Sequence, residues 1–96
     1  MRIKRITRSY RLPGREIRSL EQFYDVISLK LSLPEHFGRN LDALWDVLTT
    51  DVKGPVEIIW EESAVSKRAM GSVYDRISAL LADVERERDD FHVIYR

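Results

Sequence analysis

The sequence contains no cysteine, only three prolines and four glycines, and no apolar run longer than a few residues. Without cysteine the chain can form neither a disulfide nor a zinc site built from thiolates, and it has no thiol nucleophile. A transmembrane helix needs about 20 apolar residues in a row, so none is expected. The basic start, from Met1 to Arg8, is followed by no apolar stretch, so no secretory signal is expected either. These absences together favour a cytoplasmic protein that does not enter membranes.

An excess charge of one sign is also missing, because 16 basic residues balance 16 acidic ones. The distribution is uneven, since residues 2–18 hold seven Lys or Arg and a single acid, Glu16. A short basic segment of this kind is more often a solvated strand edge than a nucleic-acid site. Nucleic-acid binding is therefore not expected, although RNA binding by this segment stays open as an alternative.

Local patterns predict an α/β domain. The length of 96 residues, with 44% hydrophobic and 33% charged residues, suits one globular domain. Strands are predicted at residues 7–12, 56–60 and 91–95, and helices from Leu20 to before Pro34, from 41 to about 50 and from 72 to about 88. Ser19 with Gln22 forms a capping box for the first helix, and Asn40 is a good N-cap for the second. Strands separated by helices predict a small parallel sheet with helices packed on it.

The predicted helix at residues 41–50 has two different faces. With 100° per residue, three leucines face the core: Leu41, Leu44 and Leu48. Three polar residues gather on the opposite side: Asp42, Asp46 and Thr49. Trp45 lies on the border between the two faces.

The acidic face is a mixed arrangement for helix stability. Asp42, in the first turn, gains roughly 0.3–1 kcal/mol from the helix dipole. Asp46 is four residues further on, and a like-charge pair at that spacing costs about 0.2–0.5 kcal/mol. No basic residue follows either aspartate at the same spacing. A merely solvated face remains possible on these residues alone, but the pattern favours a surface that meets a partner.

The residue types at this surface predict the kind of partner. Two carboxylates one helical turn apart can imitate two phosphates of a nucleic acid, and a nuclease holds phosphates with basic side chains that also pair with carboxylates. Trp45 and the preceding loop residues His36 and Phe37 offer flat, amphipathic contact area, and Gly38 lets the loop turn closely. The sequence therefore predicts an acidic surface that meets a basic active site.

Residues 31–49, LSLPEHFGRNLDALWDVLT, closely resemble the binding loop and second helix of the barstar family, which inhibit the bacterial ribonuclease barnase. The resemblance covers roughly residues 9–96, so that residues 1–96 form a single barstar-like domain in which the first eight are an N-terminal extension. It implies a three-stranded parallel sheet with helices packed on it. It also implies an inhibitor, of the immunity-protein or antitoxin kind, that is monomeric when free. This inhibitor would use no cofactor or metal, and would block the active site of a small basic extracellular ribonuclease.

The resemblance carries a set of partner-binding residues onto this chain. They comprise three loop residues, four helix residues and one peripheral acid on the long helix: His36, Gly38, Asn40, Leu41, Asp42, Trp45, Asp46 and Asp83. In the family, the residue matching Asp46 is the main carboxylate in the enzyme's phosphate site, and the residue matching Asp42 supports it. Four features depart from the family: His36 replaces a tyrosine, Arg39 replaces an acid, Thr50-Asp51 replaces a glycine and a tryptophan, and the whole chain is neutral. These departures indicate a target other than barnase itself.

Two further alternatives concern function. Catalysis is not expected, because the two aspartates lie on an exposed face, only two histidines exist, and no phosphate-binding loop or nucleophile elbow is present. An immunity or binding module that uses the same helix against a different toxin or a cellular partner remains the alternative to a ribonuclease inhibitor.

Overall fold

The computed structural model describes residues 7–96, and its three strands form one parallel sheet. The strands are β1 (Arg8–Pro13), β2 (Val56–Glu61) and β3 (Phe91–Tyr95), in the order β1-β2-β3. Both neighbouring pairs are parallel, so β2 is the central strand. The predicted α/β fold with a three-stranded parallel sheet is confirmed. The predicted N-terminal extension lies almost wholly outside the described residues.

Helices make both connections between the strands. The chain passes from β1 through a 3₁₀ turn (Gly14–Glu16), α1 (Leu20–Lys30), α2 (Leu41–Asp46) and a π-helical segment (Val47–Asp51) to β2. It then passes through α3 (Ser63–Met70) and α4 (Ser72–Glu87) to β3. Helix α1 packs beside β1 and α4 beside β3, while α2 packs against α4. The second helix has its Leu44 side buried, while Asp42 and Asp46 are exposed.

The core lies between the helices and one face of the sheet. The strands contribute alternating, fully buried side chains: Leu12, Val56, Ile58, Trp60 and Phe91. On α4, Ile77, Leu81 and Val84 are buried, whereas Val73 and Leu80 are only half-buried. Tyr74 completes the buried face, where its ring lies 5.1 Å from that of Trp60. This tilted ring contact packs α4 against the central strand.

The start of α1 follows the predicted capping box. The Ser19 hydroxyl accepts a hydrogen bond from the Gln22 amide (3.1 Å), and the Gln22 side chain accepts one from the Arg18 amide (2.8 Å). The helix ends at Lys30, before Ser32 takes a left-handed backbone conformation with φ 52°. The turn of the backbone at Ser32 therefore ends the helix, and the loop to α2 begins before Pro34.

Helix α3 was not predicted, and a buried serine explains its position. The Ser66 hydroxyl donates to the carbonyl of Gly14 (2.8 Å) and accepts from the indole N–H of Trp60 (3.0 Å). A Cβ at Gly14 would lie 2.1 Å from the Glu61 carbonyl oxygen, so only glycine fits where the segment after β1 passes the end of β2. Tertiary hydrogen bonds, rather than an apolar stripe, place α3 across the ends of β1 and β2.

The second helix also differs from the prediction. The α-helical part ends at Asp46, and the following five residues form a wider π turn closed by the bond from the Val52 amide to the Val47 carbonyl (3.0 Å). Thr49 was expected on the acidic face but is half-buried, with its hydroxyl donating to the Trp45 carbonyl (2.7 Å). The wheel of 100° per residue fails here because a π turn advances more residues per revolution than an α-helix.

Candidate binding surface

The loop between α1 and α2, residues 31–40, is joined to the start of α2 by one side chain. The side-chain oxygen Oδ1 of Asn40 accepts from the Ala43 amide (2.8 Å), which confirms Asn40 as the N-cap. Its amide nitrogen donates to the Gly38 carbonyl (3.2 Å). Asn40 therefore fixes the helix start and the last turn of the 31–40 loop at the same time.

Tyr24 of α1 supports the 31–40 loop from beneath. The Tyr24 side chain is only 2% exposed, and the ring of Phe37 meets it edge-on with 5.8 Å between centroids. Burial raises the pKa of the Tyr24 phenol above its usual 10.0, and the nearby carboxylate of Glu21 raises it further. A neutral aromatic platform therefore lies under the loop at physiological pH.

Arg39 ties the same loop to the surface of α1. One of its guanidinium nitrogens lies 2.9 Å from a carboxylate oxygen of Glu21 and 2.8 Å from one of Asp25. Arg39 has a left-handed backbone conformation (φ 50°), which turns the chain just before Asn40. Sequence reasoning noticed Arg39 only as a departure from the barstar pattern and did not foresee this attachment.

The two aspartates of α2 face solvent as predicted, and no residue among 7–96 forms an ion pair with their carboxylates. Asp42 and Asp46 are exposed, whereas Leu44 on the opposite side is fully buried. Six ion pairs occur among residues 7–96, and none involves Asp42 or Asp46. Leu41 and Trp45 are half-buried at the border and pack against the core. The carboxylates are therefore available to a partner on a helix whose other side is fixed.

A cleft of about 180 Å³ lies beside Asp46, and we call it the Asp46 cleft. Its lining combines apolar residues of the loop and helix with a histidine and two acids: Pro34, His36, Phe37, Gly38, Ala43, Asp46, Val47 and Asp51. The structure thus brings together three of the predicted residues, His36, Gly38 and Asp46. The predicted residues Asn40, Leu41, Asp42 and Trp45 do not line this cleft.

Asp51 was noticed in the sequence only as a departure from the barstar pattern, and its place in the Asp46 cleft was not predicted. On a continuous α-helix, Asp51 would lie about 140° around the axis from Asp46. With the π turn between them, Asp46 and Asp51 both line the same cleft. No local sequence signal marks this turn, so the pairing of Asp46 with Asp51 could not be read from helical periodicity.

Asp83 lies apart from the cleft. Its side chain is exposed on α4 and forms an ion pair with Arg86 one turn further on. It is not among the residues that line the Asp46 cleft. A peripheral contact made by Asp83 stays a prediction.

Among residues 7–96 no three His, Asp or Glu side chains come close enough to hold a metal ion. Within the same residues, no helix has the length and hydrophobicity needed to cross a bilayer.

Comparison with known proteins agrees with this geometry. Residues 7–96 match the family model described as Barstar (barnase inhibitor). Over 84 residues the chain is 33% identical to a Bacillus subtilis (strain 168) protein named "Putative ribonuclease inhibitor YrdF", with 86% of this chain and 92% of that protein covered. Both findings indicate an inhibitor rather than an enzyme. With its three-stranded parallel sheet and exposed acidic helix, the chain belongs to the barstar family.

Proposed function

We propose that this protein inhibits a small, basic, extracellular ribonuclease of the barnase type by covering its active site with α2 and the 31–40 loop. The observation that carries the proposal is the pair of exposed carboxylates of Asp42 and Asp46, which make no ion pair within residues 7–96. The family match and the name of the Bacillus subtilis relative support the same kind of target.

The chemistry of a ribonuclease active site explains why carboxylates would bind there. Such a site must hold RNA phosphates with Arg, Lys and His side chains, and charge-assisted hydrogen bonds from these groups to a carboxylate are strong. In the proposal, Asp46 takes the position of the bound phosphate and Asp42 supports it one turn away. The half-buried ring of Trp45 adds contact area beside them.

The shape of the Asp46 cleft supports a contact by side chains of the enzyme. His36, Gly38 and Asp46 line it together with the apolar residues Phe37 and Val47. In the proposal, a basic side chain of the enzyme enters the cleft and pairs with the carboxylate of Asp46. In the proposal, Asn40, Leu41 and Asp83 complete the periphery of the interface, and the chain acts in the cytoplasm as a monomer.

A second candidate is immunity against a different toxin through the same surface. Two observations favour it: the chain has a net charge of zero, and Arg39 lies in the 31–40 loop where the resemblance leads one to expect an acid. A gene for a nuclease or toxin of another class next to the gene for this protein would favour this candidate.

The test is inhibition of ribonuclease activity. We would measure hydrolysis of a fluorogenic RNA substrate by barnase and by the ribonucleases captured with this protein from host lysate and secretome. The wild-type protein is expected to inhibit at least one of them, and Asp46→Ala should lose more inhibition than any other single truncation. Because Asp46 has no ion pair within residues 7–96 and lies near Asp42, thermal stability should stay unchanged or rise slightly.

Asp75→Ala is the matched control, because Asp75 is an exposed aspartate on α4 that lines none of the clefts described above. It should inhibit like the wild type. If Asp46→Ala inhibits as strongly as the wild type, the role proposed for α2 is wrong.

A further inference from the structure

Arg88, just after α4, makes hydrogen bonds to the far end of the acidic helix. Its side chain is only 13% exposed, and one terminal nitrogen donates to the carbonyl oxygens of Leu48 (2.7 Å) and Val52 (2.8 Å). Carbonyls at the end of a helix lack hydrogen-bond donors within the helix. The buried guanidinium of Arg88 supplies strong donors to them. Arg88 thus acts as a C-terminal cap that comes from about forty residues further along the chain.

The hydrogen bond from Arg88 to the Leu48 carbonyl replaces one that the π turn removes. In a regular α-helix the Val52 amide would donate to the Leu48 carbonyl. Here that amide donates to the Val47 carbonyl instead (3.0 Å), so the Leu48 carbonyl loses its ordinary partner. Arg88 supplies the missing donor, and this favours the π-helical form of residues 47–51 over the α-helical one.

The other side of the guanidinium is fixed as firmly. Its remaining nitrogens donate to both carboxylate oxygens of Asp90 (2.8 and 3.0 Å), a bidentate pair of defined geometry. A Cβ at Gly54 would lie 2.2 Å from a carboxylate oxygen of Asp90 and 2.7 Å from a nitrogen of Arg88. The Arg88–Asp90 pair therefore fills the space that Gly54 leaves open, and the arginine has little freedom to move.

We propose that Arg88 is a positioning residue for the ribonuclease-binding surface: it holds residues 47–51 in the π-helical form that places Asp51 beside Asp46 in one cleft. The proposal rests on the proposed function, since it concerns the same surface. The two carboxylates then present a fixed pair to the basic side chains of the enzyme. A pair that is already arranged avoids the entropy cost of ordering it during binding.

The first test needs no ribonuclease. In Arg88→Gln, amide hydrogen exchange at Val52 is expected to become about tenfold faster or more, because the carbonyls of Leu48 and Val52 lose their charge-assisted donor and residues 47–51 open more often. Exchange in the buried strand β2 should not change. Arg88→Lys keeps a cation but not the bidentate geometry, so it should lie between wild type and Arg88→Gln. Gly54→Ala should have the same effect as Arg88→Gln, since its methyl group displaces the Arg88–Asp90 pair.

The second test measures inhibition of a ribonuclease that the wild type inhibits, for Arg88→Gln, Asp51→Ala and the double variant. Each single variant should inhibit more weakly than the wild type. Adding Arg88→Gln to Asp51→Ala should weaken inhibition by a much smaller factor than adding Arg88→Gln to the wild type. This non-additivity is expected because Arg88 acts through the position of Asp51. Arg76→Gln, an exposed arginine earlier on α4, should match wild type in both tests.

The outcomes separate the two proposals. Unchanged exchange at Val52 in both Arg88→Gln and Gly54→Ala overturns the positioning role. Faster exchange with undiminished inhibition, or fully additive losses, overturns the link to binding. If the wild type inhibits no ribonuclease, the proposed function fails and the inhibitory part of this inference fails with it, while the exchange result still decides the structural part. Should Arg88→Gln fail to fold, Arg88→Lys and Gly54→Ala give the same readouts.

Discussion

The guanidinium of Arg39 lies over the ring of Tyr24, with 5.6 Å between the guanidinium carbon and the ring centroid. A cation in the 31–40 loop thus rests on an aromatic side chain of α1 while it also pairs with two carboxylates of the same helix. These contacts attach the 31–40 loop, which precedes the acidic helix, to the surface of α1.

Removal of this attachment should loosen the loop without unfolding the protein. We expect Arg39→Ala to raise amide hydrogen exchange at Phe37 and Gly38 and to lower the free energy of unfolding only slightly, because exposed ion pairs contribute little to stability. Arg18→Ala, at an exposed arginine just before α1, should change neither quantity. Unchanged exchange in Arg39→Ala would show that the aromatic contact between Phe37 and Tyr24 is enough to hold the loop.

Two substitutions at Asn40 should separate its two hydrogen bonds. Asn40→Ala removes both and should cost about 0.5–2 kcal/mol of unfolding free energy, as for other helix N-caps. Asn40→Asp keeps the acceptor for the Ala43 amide but loses the donor to the Gly38 carbonyl. We therefore expect chemical denaturation to show near wild-type stability for Asn40→Asp, together with faster amide exchange in the loop. Equal stability losses in both variants would contradict this division.

The leucine on the buried side of α2 should affect stability rather than recognition. Leu44 is fully buried, so Leu44→Ala should lower the free energy of unfolding by roughly 2–5 kcal/mol. Its folded fraction, measured under mild conditions, should still inhibit. The control is Leu29→Ala, because Leu29 is 79% exposed on α1 and its loss should leave chemical denaturation unchanged. Weak inhibition by fully folded Leu44→Ala would mean that the core side of α2 also affects the binding surface.

Alkaline pH should destabilise the protein through Tyr24. The pKa of this phenol is raised in the folded state, so below about pH 10 both folded and unfolded chains keep the proton and stability is complete. As pH rises beyond that value the unfolded chain releases its proton first, and stability falls until the native pKa is passed. Urea denaturation at about pH 8 and about pH 11 should show a smaller loss in Tyr24→Phe than in wild type. An identical loss in both proteins would assign the effect to other groups, such as Tyr95, whose pKa burial also raises.

Salt should act mainly on the approach of the two proteins. Exposed aspartates attract a basic ribonuclease over distances that ions screen, whereas close contacts in the formed complex are screened less. Rising salt should therefore slow association more than it speeds dissociation in stopped-flow or surface-binding measurements with an inhibited ribonuclease. The Asp46→Ala variant should show a weaker salt dependence of association. A dominant effect of salt on dissociation would argue against electrostatic steering.

Much of the fold could be predicted because local rules govern it. The strand at residues 91–95 and the caps at Ser19 and Asn40 follow from alternation and from side-chain oxygens at helix starts. The exposure of Asp42 and Asp46 follows from the period of α2. Helix α3 could not be predicted, since it is held by the bonds of Ser66 to Trp60 and Gly14, residues distant in sequence.

In the candidate site, too, local patterns predict one part, and contacts between residues distant in sequence determine the rest. The period of α2 is regular up to Asp46, and there the predicted face is right. Beyond that residue the backbone forms a π turn, whose Leu48 carbonyl accepts a hydrogen bond from Arg88. No local sequence pattern reveals a contact between residues forty positions apart. Thr49 was misplaced and the place of Asp51 in the cleft was missed for this single reason.

The bond between Arg88 and the Leu48 carbonyl also orders events during synthesis. Arg88 leaves the ribosome forty residues after Leu48, so the acidic helix is made long before its cap exists. A growing chain can form α2 from its own residues, but the bonds from Arg88 to the Leu48 and Val52 carbonyls can form only after Arg88 has been made. The candidate binding surface therefore takes its final form only when nearly the whole chain has been synthesised.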